Sequence, residues 1–133
     1  MHVTSSRSQW CASFLLVVAA AAHIPLIQDH LKEAPYVGWG FILLSVTCLV
    51  LAVAMLFLES PGVWLLSGAV CLAAVMAFLA SRTVGLPQIG DDVGNWTDPM
   101  GFPAVTSEVL MTALAAVHLR RLHAQPARAD AVL

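Results

Sequence analysis

Four apolar runs, parted by short polar stretches, decide what this chain can fold into. They cover residues 10–27, 36–58, 63–80 and 103–119. Each approaches the ~20 residues that a helix rising ~1.5 Å per residue needs to cross a ~30 Å hydrocarbon layer. Lipid offers no partners to backbone amides and carbonyls, so a spanning segment is either a helix or a strand of a closed barrel. None of the four shows the two-residue alternation of a barrel strand. The predicted fold is therefore all-α: a four-transmembrane-helix bundle forming one domain over residues 1–123, with a flexible polar tail at 124–133.

Composition supports a lipid bilayer as the main partner. Of the 133 residues, 59% are hydrophobic and 11% charged, whereas about a quarter of an average soluble domain is charged. The formal net charge is −2 and no run of Lys and Arg forms a basic stripe, which argues against nucleic acid as a partner. A second reading of the first run is a cleaved signal peptide, with Arg7, an apolar stretch from Phe14 and Ala20-Ala21-Ala22 as the small-residue site. The run continues through "IPLI", however, which favours a retained span.

Arg7 precedes the first span, and Arg120, Arg121 and Arg128 follow the fourth. An even number of spans places both ends on one side, and the positive-inside rule makes that side cytoplasmic. The expectation is a multi-pass protein of the cell membrane with both termini in the cytoplasm. Connections 28–35 and 81–102 then face outward, while "ESPG" at 59–62 is a tight inner turn broken by Pro61 and Gly62. Trp10 and Trp64 start spans on the inner side, and Tyr36, Trp39 and Trp96 lie near the outer boundary, where amphipathic rings gather. Connection 81–102 is long for a helix bundle, where about 2–8 residues is usual. Ile89 and Trp96 are expected to fold it back as a cap.

The outer side also holds most of the candidate chemistry. In "AAHIPLIQDHLKEAPY", Pro25 either ends the first helix or kinks it. If the helix continues to Ala34, His23, His30 and Glu33 share one stripe, with His30 and Glu33 ~4.5 Å apart along the axis. His23 and His30 are ~10 Å apart, too far to ligate one ion directly. A metal ion held by His30 and Glu33 needs further ligands from the third connection, where Asp91, Asp92 and Asp98 are the candidates. Imidazole with carboxylate suits zinc or a similar divalent ion. The competing reading is a hydrated helix end carrying charge near the headgroups.

Glu108 lies inside the fourth span, ~7 Å past Pro103. An ionisable group at such depth faces the bundle interior and finds a partner or a water-filled cavity. His23 sits at nearly the same depth, and Arg82 can reach down along its own stem. The expected arrangement is an Arg82–Glu108 ion pair with His23 beside it, serving either as a structural lock or as a ligand-binding cluster. A separate soft-metal reading places Cys48, Cys71, Met76 and Met111 at matched depths, where monovalent copper passes between helices. Against it stands their ordinary use as adaptable apolar core residues.

Haem between His23 and His118 is disfavoured, because they lie toward opposite ends of their spans. A di-iron centre needs two Glu-x-x-His pairs, and nucleotide-binding or nucleophile motifs are absent.

"HLKEAPYVGWGF", taken with "SRTVGLPQIGDDVGNWTDPMGFPAVTSEVL", resembles a group of small four-span membrane proteins of actinobacterial type, over most of residues 22–116. The resemblance implies the fold and the outer motif set but supplies no activity and no catalytic residue. It also implies a neighbourhood of copper-handling or cupredoxin-like proteins. The leading expectation is a non-enzymatic interaction or small-ligand-binding module, with a membrane-protein partner or a second copy of itself. The alternatives are a metal-handling protein, for copper or a divalent ion, and an accessory subunit of a membrane oxidoreductase.

Overall fold

The computed structural model describes residues 6–124. Arg128 and all but the first residue of the expected tail lie outside them. The described chain folds as α1 (Arg7–His23), a 3-10 turn (Ile24–Leu26), α2 (Ile27–Glu33), α3 (Pro35–Phe57), α4 (Pro61–Thr83), a second 3-10 turn (Gly90–Asp92) and α5 (Gly101–Ala124). With α1, the turn and α2 counted as one rod over Arg7–Glu33, four helices are long and apolar enough to cross a membrane.

Local sequence accounts for most boundaries. Ser6 and Gln9 cap α1 reciprocally: the Ser6 hydroxyl accepts the Gln9 N–H at 3.3 Å, and Gln9 Oε1 accepts the Ser6 N–H at 2.6 Å. Pro25 kinks the first rod without ending it. Pro25 brings no N–H of its own, and Ile27 N–H bonds the Ile24 carbonyl three residues back, so the turn tightens and the helix resumes. Pro61 does not break the ESPG turn but starts α4, where its missing N–H costs nothing. The Ser60 hydroxyl caps that end by accepting the Gly62 N–H at 3.2 Å. The fourth span begins two residues earlier than expected, since Pro103 fits in a first turn, and it runs on to Ala124.

The helices form a ring. α1 packs antiparallel on α3 and also against α5, α5 packs on α4, and the α3–α4 seam is the least occupied. Side-chain hydrogen bonds tie α1 to α3: Gln9 Nε2 donates to the Met55 carbonyl and Ser13 Oγ to the Ala52 carbonyl, both at 3.0 Å. Met55 lies in the last turn of α3, so Gln9 satisfies a carbonyl without a helical partner.

The interior is rich in small and polar residues around a few large ones such as Leu16, Met55 and Met111, and the exterior is lined by large apolar ones. Ala12, Ala19, Ala20, Ala52, Cys48, Cys71 and five serines are buried, while Phe14, Leu43, Val50, Val53, Phe57, Leu65, Phe102 and Leu110 are exposed. Water gives no reason for that distribution, but lipid does: tails solvate Leu and Phe, and close helix packing selects small side chains. Gly68 shows the constraint at one point, since a Cβ there would lie 2.8 Å from the Ala115 Cβ. Gly38 shows it at another, because a Cβ would meet Leu31 at 2.7 Å where α2 turns into α3.

Candidate functional site

At the end of the bundle near segment 84–100, henceforth the open end, the helices enclose a cavity of about 460 Å³. That size falls within the ~300–1,000 Å³ usual for small-molecule sites. Val37, Phe41 and Leu44 of α3 and Val70, Ala74 and Phe78 of α4 form its apolar walls. His23, His30, Arg82, Asp92, Asp98 and Glu108 supply its polar groups. Val70 lies thirteen residues before the end of α4, so the cavity reaches ~20 Å into the bundle.

The deepest carboxyl group lining it is Glu108 on α5, with a side chain 1% exposed. Among the described residues its Oε1 has no hydrogen-bond partner. His23 faces it across the bundle, Nε2 to Oε1 at 3.7 Å, beyond hydrogen-bond range. The tautomer of His23 follows from its other nitrogen. Nδ1 lies 2.8 Å from the Ala19 carbonyl, which only accepts, so Nδ1 carries hydrogen and donates. In the neutral ring Nε2 is then an acceptor. His30 repeats the pattern one rod-segment away, with Nδ1 donating to the Leu26 carbonyl at 2.9 Å. Phe41 of α3 touches both imidazoles, its ring centre 4.9 Å from each.

Arg82 does not pair with Glu108, contrary to the sequence expectation. Its Nη1 binds Asp92 Oδ1 at 2.7 Å and its Nη2 binds Asp98 Oδ2 at 3.1 Å, while the guanidinium lies over the Phe78 ring at 5.1 Å. Arg82 sits in the last turn of α4 and Glu108 two turns inside α5. The aspartates therefore meet the guanidinium without its descending into lipid depth. These contacts fasten segment 84–100 across the bundle end. Gly94 N–H donates to the Arg82 carbonyl at 2.9 Å, and Tyr36 Oη donates to the Pro87 carbonyl at 2.7 Å. Ile89 is buried, and Trp96 meets Phe78 edge to face at 6.3 Å.

The expected metal sites do not assemble. Among the described residues no three His, Cys, Asp or Glu side chains come together to hold an ion. Asp92 and Asp98 are occupied by Arg82, whose positive charge repels a cation, while Asp91 and Glu33 are exposed. The soft-metal set also separates. Cys48 and Cys71 are neighbours in the core and Met111 is fully buried, but Met76 is 58% exposed on the outer face of α4. Trp64 lies in the first turn of α4, where its ring is buried and stacks on His118 at 4.1 Å.

Sequence reasoning missed the cavity and its apolar contributors. Phe41, Tyr36, Gly40, Ala73 and Ala77 look like any other span residues in one dimension. The available signal was the run of small residues Ala73, Ala74 and Ala77 on α4, opposite Gly40.

Fold and cavity together define a class: a small multi-pass helical protein with a half-span cavity ending on a buried carboxyl group. No family model matches the chain, nor does any curated protein or solved structure.

Proposed function

We propose that the protein is a non-enzymatic membrane module that binds a small, largely apolar ligand in the open-end cavity. The observation that carries this reading is Glu108: a buried carboxyl oxygen without a partner, lining a cavity of ligand size. An unmade hydrogen bond in such a site costs free energy that a ligand recovers. The polar cluster His23, Arg82 and Glu108 divides the work. Arg82 holds the covering segment through Asp92 and Asp98, and His23 with Glu108 presents polar atoms at depth.

The route of entry follows the thin α3–α4 seam. Gly40, Leu43, Ala73 and Ala77 line the cavity and are also exposed on the helix flanks, Leu43 to 69%. A ligand dissolved in the bilayer thus reaches the cavity sideways. In the proposed orientation, with both termini cytoplasmic, the open end faces outward.

Native mass spectrometry of the full chain released from membranes in mild detergent tests the reading. A co-purifying small molecule is expected on the wild type and absent from Ala77→Phe, which fills the seam. Equal retention by both forms overturns the assignment to this cavity.

A further inference from the structure

We infer that the cavity takes an amphipathic amine: an apolar body carrying one protonated, hydrogen-bond-donating nitrogen. The inference rests on the ligand-binding reading above and names the ligand's chemistry. Its basis is the polarity of the groups left unused at the His23–Glu108 end of the cavity, away from the unpartnered donor Arg82 Nε beside Asp92 and Asp98. Both imidazoles spend Nδ1–H on backbone carbonyls at 2.8 and 2.9 Å, so each neutral ring offers only Nε2 as an acceptor. Glu108 Oε1 is a third oxygen or nitrogen without a donor. The 3.7 Å gap between His23 Nε2 and Glu108 Oε1 leaves both unbonded to each other, and an ammonium placed beside them donates to each.

Charge points the same way. The lining holds one guanidinium, Arg82, against three carboxyl groups, Asp92, Asp98 and Glu108, a formal −2 with both histidines neutral. Arg82 is already shared between the two aspartates, so Glu108 is the lining carboxyl group that the guanidinium leaves unmet. A charge-assisted hydrogen bond is about twice as strong as a neutral one, so an ammonium beside Glu108 also favours its ionised form. A carboxylate ligand would set an acceptor against Glu108 Oε1 and the His23 and His30 Nε2 atoms. Phe41, at the histidine rings, adds an aromatic face suited to a cation.

Binding of octylamine, octanol and octanoate to the full chain in nanodiscs, each followed by thermal stabilisation across a concentration series, tests the head group at constant tail. The amine is expected to bind the wild type at least about tenfold more tightly than the alcohol, with octanoate weakest. Glu108→Gln is expected to bring amine and alcohol within about twofold, the scale of neutral pairing. Octanoate or octanol binding as tightly as the amine, or an amine preference that survives Glu108→Gln, overturns the inference. The wild-type ranking decides alone if that variant does not fold. Ala74→Phe and Ala77→Phe separate the two levels of the claim. Probe binding that either filled variant abolishes, without head-group preference, overturns the amine and leaves the cavity reading standing. Binding that both filled variants retain unchanged overturns the cavity reading itself.

Discussion

The two ends of this bundle are built from the same kinds of residue and packed in different ways. From mid-bundle to the closed end, α1, α3, α4 and α5 meet through Leu16, Met55, Trp64, Met111 and Ala115. The Trp64–His118 stack seals the last turns, with rings 14° from parallel. At the open end, α3 and α4 stand apart, Phe41 and Phe78 project into the gap, and polar side chains occupy the space that Leu and Met fill elsewhere. The difference teaches that small residues act in opposite senses. Opposed across a contact, as Gly68 and Ala115 are, they bring helices together; along a seam with no partner, as Gly40, Ala73 and Ala77 are, they leave a slot.

The contrast fixes an order of effects, each read by thermal or denaturant unfolding in one detergent. The largest loss is expected for Met111→Ala in the mid-bundle core, about 2–5 kcal/mol, because a fully buried side chain leaves a void. Met76→Ala, on the exposed face of the neighbouring helix, is expected to change stability by less than about 0.5 kcal/mol. Equal losses would break the distinction between buried and lipid-facing sulfur.

Next comes a pair of glycines. Gly68→Val is expected to cost about 1–3 kcal/mol by forcing α4 and α5 apart. Gly40→Val, where an added Cβ meets nothing within 4 Å, is expected to be nearly neutral for folding. A Gly40 variant as damaging as the Gly68 variant would show that the open end is packed after all.

Arg82→Ala is expected to cost about 1–3 kcal/mol, less than loss of a fully buried pair because Asp92 and Asp98 keep 27% and 25% exposure. Its clearest readout is faster proteolysis within segment 84–100, which loses its anchor. Unchanged cleavage there would separate Arg82 from the covering segment. An effect of opposite sign is expected for Glu108→Gln, a gain of up to about 1 kcal/mol, since an isosteric amide replaces a buried acid whose Oε1 no protein donor satisfies. A loss of several kcal/mol would make Glu108 a structural lock rather than a vacant acceptor.

Much of the scaffold was legible in the chain, and the site was legible only in pieces. The apolar runs place all four spanning rods, because length and hydropathy are local properties. Boundaries shifted where capping chemistry acts: Pro61 and Pro103 look like breakers in sequence but sit in first turns, where no N–H is needed. Glu108 and His23 were singled out by depth, and the structure holds them 3.7 Å apart. Arg82 was assigned the wrong partner. Its reach covers several carboxylates, and the choice fell to how segment 84–100 folds, which a stretch rich in Gly and Pro does not announce.

What the sequence determined by itself is the set of rods and their apolar character, for a physical reason that acts one segment at a time. A backbone in lipid must satisfy its own hydrogen bonds, so each apolar run of sufficient length becomes a helix wherever its neighbours lie. What only the tertiary structure decided is which polar groups meet and which remain without partners. Those outcomes depend on the rotation of each helix about its axis and on the spacing of α3 from α4. Both are set by many weak packing contacts between distant residues rather than by any motif.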